Sequence, residues 1–230
     1  MSLLSRQSFA SFLRYSVRGD SELSRKSRDA RLDLKNNKVI ASLGITNAQY
    51  IALRLTEEFQ KEDEEFENPE LRRKLRLLET VLSPTAALVP VPRSSLIGPD
   101  SLWPPFELAT ALVDQGLGGQ VLPILKRTRA VPKAAFAAPG ERSSAQDHFE
   151  TIAVDQDQEV PRTLILVDDI ITTGASILGT ASLLRRSWPT AEIRAFLAYL
   201  PLSFGEVESI VDPQIGSIQL RPDGSTSRTP

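Results

Sequence analysis

The 230 residues contain no cysteine and only one histidine, His148. Without a thiol the chain has no disulfide, no zinc–thiolate site and no cysteine nucleophile. No apolar stretch reaches the roughly 20 residues that a membrane-spanning helix needs. A net charge of −2 gives no overall pull toward nucleic acid or membrane. No Gly-Lys-Ser/Thr follows a strand, which excludes a Walker A loop, and a dinucleotide-binding glycine fingerprint is also absent. Residues 1–19 are rich in Ser and Arg and free of acids, a faint likeness to a transit peptide, but Asp20 and Glu22 end that run. Cytoplasm is therefore the expected compartment, with no membrane partner.

What is present is concentrated in residues 163–176, Thr-Leu-Ile-Leu-Val-Asp-Asp-Ile-Ile-Thr-Thr-Gly-Ala-Ser. Leu164, Ile165, Leu166 and Val167 form a short continuous apolar run, suited to a strand covered on both faces of a parallel sheet. Ligands of open α/β sheets bind beyond the carboxyl ends of the strands, where Asp168 to Ser176 fall. Thr172, Thr173, Gly174, Ala175 and Ser176 offer backbone N–H groups and hydroxyls at the start of a helical segment, a cradle for an anion. Gly174 is expected to let the backbone approach the ligand closely. Like charges repel, so Asp168 and Asp169 are not phosphate ligands; they suit ribose hydroxyls, or Mg²⁺ held through water. The pattern describes a sugar-phosphate site.

The segment 164–176 closely resembles the phosphoribosyl-pyrophosphate (PRPP) binding motif of type I phosphoribosyltransferases: apolar residues, two acids, two apolar residues, Thr-Thr-Gly and two small residues, without a gap. The resemblance implies that Asp168 and Asp169 contact the ribose 2- and 3-hydroxyls and that Thr172, Thr173, Gly174, Ala175 and Ser176 bind the 5-phosphate. Hypoxanthine-guanine enzymes of that family usually carry Asp where this chain has Thr172. Thr is found in orotate-type sequences, which turns the expectation away from 6-oxopurine salvage.

Two textures divide the chain into an expected helical N-terminal region, 1–82, and an α/β domain, 83–230. Residues 8–15 read as an amphipathic helix, 47–65 as a second, and Asn68-Pro69-Glu70 as the start of a third running to Val81. From Pro84 onward, strand and helix patterns alternate, which argues a mainly parallel sheet flanked by helices. Strands are expected at 86–91, 121–125, 151–154, 163–167, 191–200 and 215–220. Helices are expected at 105–117, stopped by Gly118-Gly119, and at 174–187. The tail, 201–230, is expected to form a hood over the site, loose beyond Arg221.

Val89-Pro90-Val91-Pro92-Arg93-Ser94-Ser95 follows a strand at the place where type I phosphoribosyltransferases carry a pyrophosphate loop. Its Val-Pro-Val-Pro form resembles the subgroup related to competence protein F, although that subgroup's zinc-binding cysteines have no counterpart here. On this resemblance Arg93 meets pyrophosphate oxygens, with Ser94 beside it, since a guanidinium fork matches that geometry. The long irregular segment 126–150 corresponds to the family's mobile catalytic loop. Lys126, Arg127, Arg129, Lys133 and Arg142 are its candidate cations, Lys133 and Arg142 being assigned with Arg93, Asp168 and Asp169 to the catalytic set. His148 reads either as a proton-transfer group at an acceptor or as a packed loop histidine. Trp103 reads either as a platform for a base or as a staple at a helix start. The basic stretch 14–38 reads as a solvated helical face diluted by acids, so nucleic acid is not an expected partner.

The function these features imply is a phosphoribosyltransferase of nucleotide metabolism, transferring the 5-phosphoribosyl group from PRPP to a base or amine with Mg²⁺ as cofactor. A homodimer is the family-level expectation. The alternative is a non-catalytic PRPP or nucleotide sensor that uses residues 1–82 to contact a partner or nucleic acid.

Overall fold

The computed structural model describes residues 3–96, 98, 101–132 and 143–229. The chain begins with β1 (Arg6–Ser16), α1 (Glu22–Lys35), a small hairpin of β2 (Val39–Ile40) and β3 (Ile45–Thr46), α2 (Asn47–Gln60) and α3 (Pro69–Glu79). There follow β4 (Ser83–Pro90), α4 (Pro104–Asp114), β5 (Gly118–Val121) and β6 (Leu125–Arg127). The remainder is α5 (Ala145–Glu150), β7 (Ile152–Val154), β8 (Thr163–Ile170), α6 (Ala175–Ser187), β9 (Glu192–Leu202), β10 (Val211–Leu220) and β11 (Thr226–Thr229). The class is α/β, with a seven-stranded, mostly parallel central sheet in the order β11-β10-β1-β9-β8-β4-β5 and helices on both faces.

Side-chain alternation along the central strands builds two cores. Leu164 and Leu166 of β8 point to one face, where Ile177, Leu178, Ala181 and Leu184 of α6 cover them. Ile165 and Val167 point to the other, under Leu108 and Leu112 of α4 and Ile51 and Leu55 of α2. All four β8 residues are fully buried, each worth about 1.5–3 kcal/mol relative to exposure. This two-sided burial is why the run carries no polar alternation.

From β4 the chain moves to β5 on one side, and later returns to place β8 on the other. The strand order thus reverses between β4 and β8, the position where open α/β sheets leave a crevice at their carboxyl edge. Val91 donates its N–H to Val167 O at 2.9 Å, holding the exit of β4 directly beside the residue that precedes Asp168.

Several expectations are corrected. Residues 8–15 form β1 and not a helix, so the region before residue 83 is not wholly helical. β1 lies between β9 and β10, parallel to the first and antiparallel to the second. Phe9 faces one core and Ala10 and Phe12 the other, a pattern that short apolar runs share between buried strands and helices. Gly118-Gly119 does not stop α4; Gly116, with φ 74°, takes the left-handed position and Gly118 opens β5. The strand expected at 121–125 is split between β5 and β6 around Pro123, which has no N–H for a ladder. The end of the tail is β11, paired in register with β10 from Ser217↔Thr229 to Leu220↔Thr226. The third helix starts as expected: Asn68 accepts from the N–H groups of Glu70 and Leu71, with Pro69 in the first turn. Among the described residues no helix is long and apolar enough to cross a membrane.

Candidate functional site

β8 delivers Asp168 and Asp169 to the carboxyl edge of the sheet. Asp168 is buried, and its carboxylate accepts the Asp169 N–H at 2.9 Å. Burial foremost, and then the neighbouring Asp169 carboxylate, push its pKa well above the usual range. Asp169 is half-buried, and among the described residues neither acid has a salt-bridge partner. Two adjacent acids without a cation form an energetically costly arrangement, which a ligand able to donate hydrogen bonds or bring positive charge relieves.

Beyond Ile171 the chain turns through Thr172 and Thr173 to Gly174, the N-cap residue of the 13-residue α6. Gly174 has φ 87°, and a Cβ there lies 2.6 Å from the Ile218 side chain. The glycine therefore answers to the turn and to β10 packing, and does not line the cleft as expected. Thr172, Thr173, Ala175 and Ser176 do line it. Arg228 of β11 donates from Nε to Thr172 O at 2.7 Å and from Nη2 to Pro201 O at 3.0 Å, bracing the turn from behind.

The opposite wall is the exit of β4. Arg93 and Ser94 face the cleft, and Arg93 donates from Nη1 to Leu102 O at 2.5 Å. Trp103 donates from Nε1 to Val91 O at 2.8 Å and stacks on Phe106 with centroids 5.5 Å apart. That engagement makes it a latch for the loop; it is not among the cleft-lining residues. Arg127 is also not a cleft cation: it is 3% exposed, and donates to Arg93 O, Thr151 Oγ1 and His148 Nδ1. Burial lowers its pKa to about 10, so it remains charged at neutral pH. Lys126 and Arg129 are exposed and do not line the cleft. Lys133 and Arg142 lie outside the described residues.

Between these walls is a cleft of about 550 Å³. Its third side comes from the region before residue 83: Tyr15 at the end of β1, with Arg31, Lys35 and Asn36 at the end of α1. These four were not foreseen as site residues. The basic composition of 14–38 was a signal, but sequence spacing does not show that the carboxyl end of α1 arrives over the sheet edge. His148 is buried and also lines the cleft. Burial first, and then the nearby Arg127 charge, lower its pKa to about 4, so it is neutral at physiological pH.

Chemically, the cleft offers the amino end of α6 and Arg93 for anions, and two carboxylates for hydroxyl groups or a hydrated cation. Among the described residues no three His, Cys, Asp or Glu side chains gather as a self-sufficient metal site. The two hard carboxylate oxygens nevertheless fit Mg²⁺, which commonly takes one or two protein carboxylates and fills its octahedron with water and substrate phosphate oxygens. No family model matches the chain, and no curated protein matches it.

Proposed function

We propose that the chain is a phosphoribosyltransferase of the type I fold, binding PRPP in this cleft and transferring its 5-phosphoribosyl group to a nitrogen of a base or amine. The observation that carries the reading is the convergence of Asp168, Asp169, Thr172, Thr173, Ala175, Ser176 and Arg93 at the strand-order reversal between β4 and β8. Anion cradle, hydroxyl acceptors and guanidinium are the complementary groups for a phosphate, a ribose and a pyrophosphate.

In this reading the N–H groups at the start of α6 and the Thr173 and Ser176 hydroxyls hold the 5-phosphate. Asp168 and Asp169 accept hydrogen bonds from the ribose hydroxyls and orient the ring. The same two acids would hold Mg²⁺ through water, and the ion supplies neutralising charge to the diphosphate when bound. The C1–O bond to pyrophosphate breaks with its electron pair leaving on oxygen, where Arg93 meets the departing charge. The acceptor nitrogen's lone pair forms the new C1–N bond, and its proton leaves to solvent. Positioning and charge stabilisation carry the rate.

The test is incubation of the protein with Mg²⁺, PRPP and a panel of nitrogen bases and amines, following pyrophosphate release. Release that depends on one acceptor and is abolished in Asp168→Asn/Asp169→Asn supports the reading. PRPP binding without turnover on any acceptor counts against catalysis.

A further inference from the structure

The third wall of the cleft has a chemistry of its own. Arg31 and Lys35 are one helical turn apart on α1, an i,i+4 pair of like charges that isolated helices disfavour. Other cations of this region are engaged: Lys26 pairs with Glu22 at 2.6 Å, Arg28 donates to Ser16 O and Gly19 O, and Lys38 pairs with Asp33 at 3.4 Å. Among the described residues Arg31 and Lys35 pair with no carboxylate, and both line the cleft. The Arg31 guanidinium lies over the Tyr15 ring at 5.2 Å, and its Nε is buried without a hydrogen-bond partner. That inner nitrogen is out of a ligand's reach, but the outer guanidinium nitrogens make no hydrogen bond or ion pair among the described residues and are free to meet an anion in the cleft.

This wall is separate from the phosphate cradle. Tyr15 belongs to the core beneath α2, α3 and α4, whereas α6 covers the opposite face of the sheet. Phosphate groups of the donor have α6 and Arg93, while Arg31 and Lys35 line the cleft from α1, beside Tyr15. We infer that Arg31 and Lys35, with Tyr15 and Asn36 beside them, form the acceptor subsite, and that the acceptor is a small planar nitrogen compound bearing its own negative charge, a carboxylate or a phosphate. The inference rests on the reading of the cleft as a phosphoribosyl-donor site. The guanidinium fork pairs with the anionic group, and the Lys35 ammonium adds a second, more mobile charge at the mouth. An uncharged base would leave both cations unpaired and gain little from this wall.

The experiment is calorimetric titration of the protein loaded with Mg²⁺ and PRPP. The probes are pyridine-3-carboxylate, pyrimidine-4-carboxylate and 2-aminobenzoate, each against its carboxamide, with 2-aminophenyl phosphate as the phosphate arm. The expected result is at least tenfold tighter binding of one or more anions than of their neutral partners. Arg31→Gln and Lys35→Gln should each erase most of that preference while leaving PRPP affinity within twofold, and Arg31→Lys should retain part of it. Tighter binding of the phosphate arm than of 2-aminobenzoate assigns the same subsite to phosphate-bearing acceptors. Equal binding of charged and neutral partners, no binding of any probe, or parallel loss of PRPP affinity in Arg31→Gln overturns the inference. If PRPP itself does not bind, the donor-site reading fails and this one with it; if PRPP binds and no anion does, only this one fails.

Discussion

Arg127 donates a hydrogen bond from Nη2 to Nδ1 of His148 at 3.0 Å. A guanidinium has no acceptor, so Nδ1 must be unprotonated and the ring carries its proton on Nε2. One side chain thereby fixes the tautomer of a cleft-lining imidazole and, through its bond to Arg93 O, joins α5 to the loop after β4. Nitrogen-15 NMR of the His148 ring should report the Nε2–H tautomer from pH 5 to 8. Stability should also carry the signature of a base buried in its neutral form. Unfolded His148 binds a proton near pH 6.5, and folded His148 only near 4. Its contribution is complete above pH 6.5 and is lost as pH falls from there toward 4, at most about 3 kcal/mol. His148→Gln should flatten the stability profile across that window in urea titrations, and an unchanged slope would contradict the assignment. Because burial is the larger cause, Arg127→Met should raise the His148 pKa only part of the way to 6.5.

Asp168 should trade stability for binding. Its folded pKa lies above the unfolded value, so the stabilising effect of this shift is present at low pH and is lost as pH rises through the folded pKa. At neutral pH the buried acid is a burden. Asp168→Asn keeps the shape and removes the charge, and should raise the melting temperature of the ligand-free protein by several degrees, as a gain of about 1–2 kcal/mol implies. The same variant should lose at least tenfold in PRPP affinity. A variant that is both less stable and still binds PRPP would remove the role assigned to this acid.

Gly174 and Ile218 should be coupled. Gly174→Ala places a Cβ at φ 87° and against the Ile218 branches, for an expected cost of about 2–4 kcal/mol. Ile218→Ala removes every atom of that clash, so the double variant should be more stable than the two single losses added, by about 1 kcal/mol or more. Additive losses would show that strain at φ alone requires the glycine.

Arg228 should matter to the turn it braces. Arg228→Ala removes both hydrogen bonds to Thr172 O and Pro201 O. The expected result is faster amide hydrogen exchange from Thr172 to Ser176 and a PRPP affinity reduced about three- to tenfold, with the cooperative unfolding transition preserved. Unchanged exchange in that segment would mean the turn holds itself.

The site was most legible where chemistry and position share one stretch of chain. Leu164 to Ser176 reads directly as strand, acids, turn and helix, and the structure assembles it so. Legibility failed where the decision is tertiary. Phe9 to Tyr15 fits a helix or a strand until pairing with β9 and β10 makes it a central strand and helices on the two sides of the sheet bury its faces. Arg127 looked like its exposed neighbours Lys126 and Arg129, and only the packing of α5 against β6 and β7 makes it an internal strut. The tail did hold an overlooked signal: Pro222-Asp223-Gly224 is turn chemistry, with Gly224 at φ 81° and Asp223 accepting from Ser225, and it closes the β10–β11 hairpin. Arg31 and Lys35 were visible as charges, but their place over the sheet edge depends on where α1 docks.

The central claim is that Asp168, Asp169 and the Thr172–Ser176 turn form a PRPP site, and calorimetry tests it most directly. Wild type and Asp168→Asn/Asp169→Asn would each be titrated with PRPP and with ribose 5-phosphate, in the presence and absence of Mg²⁺. The account expects wild type to bind PRPP more tightly with Mg²⁺ than without and more tightly than ribose 5-phosphate, and the double variant to lose at least tenfold in PRPP affinity. Equal PRPP binding by the two proteins, or none by wild type, would contradict it.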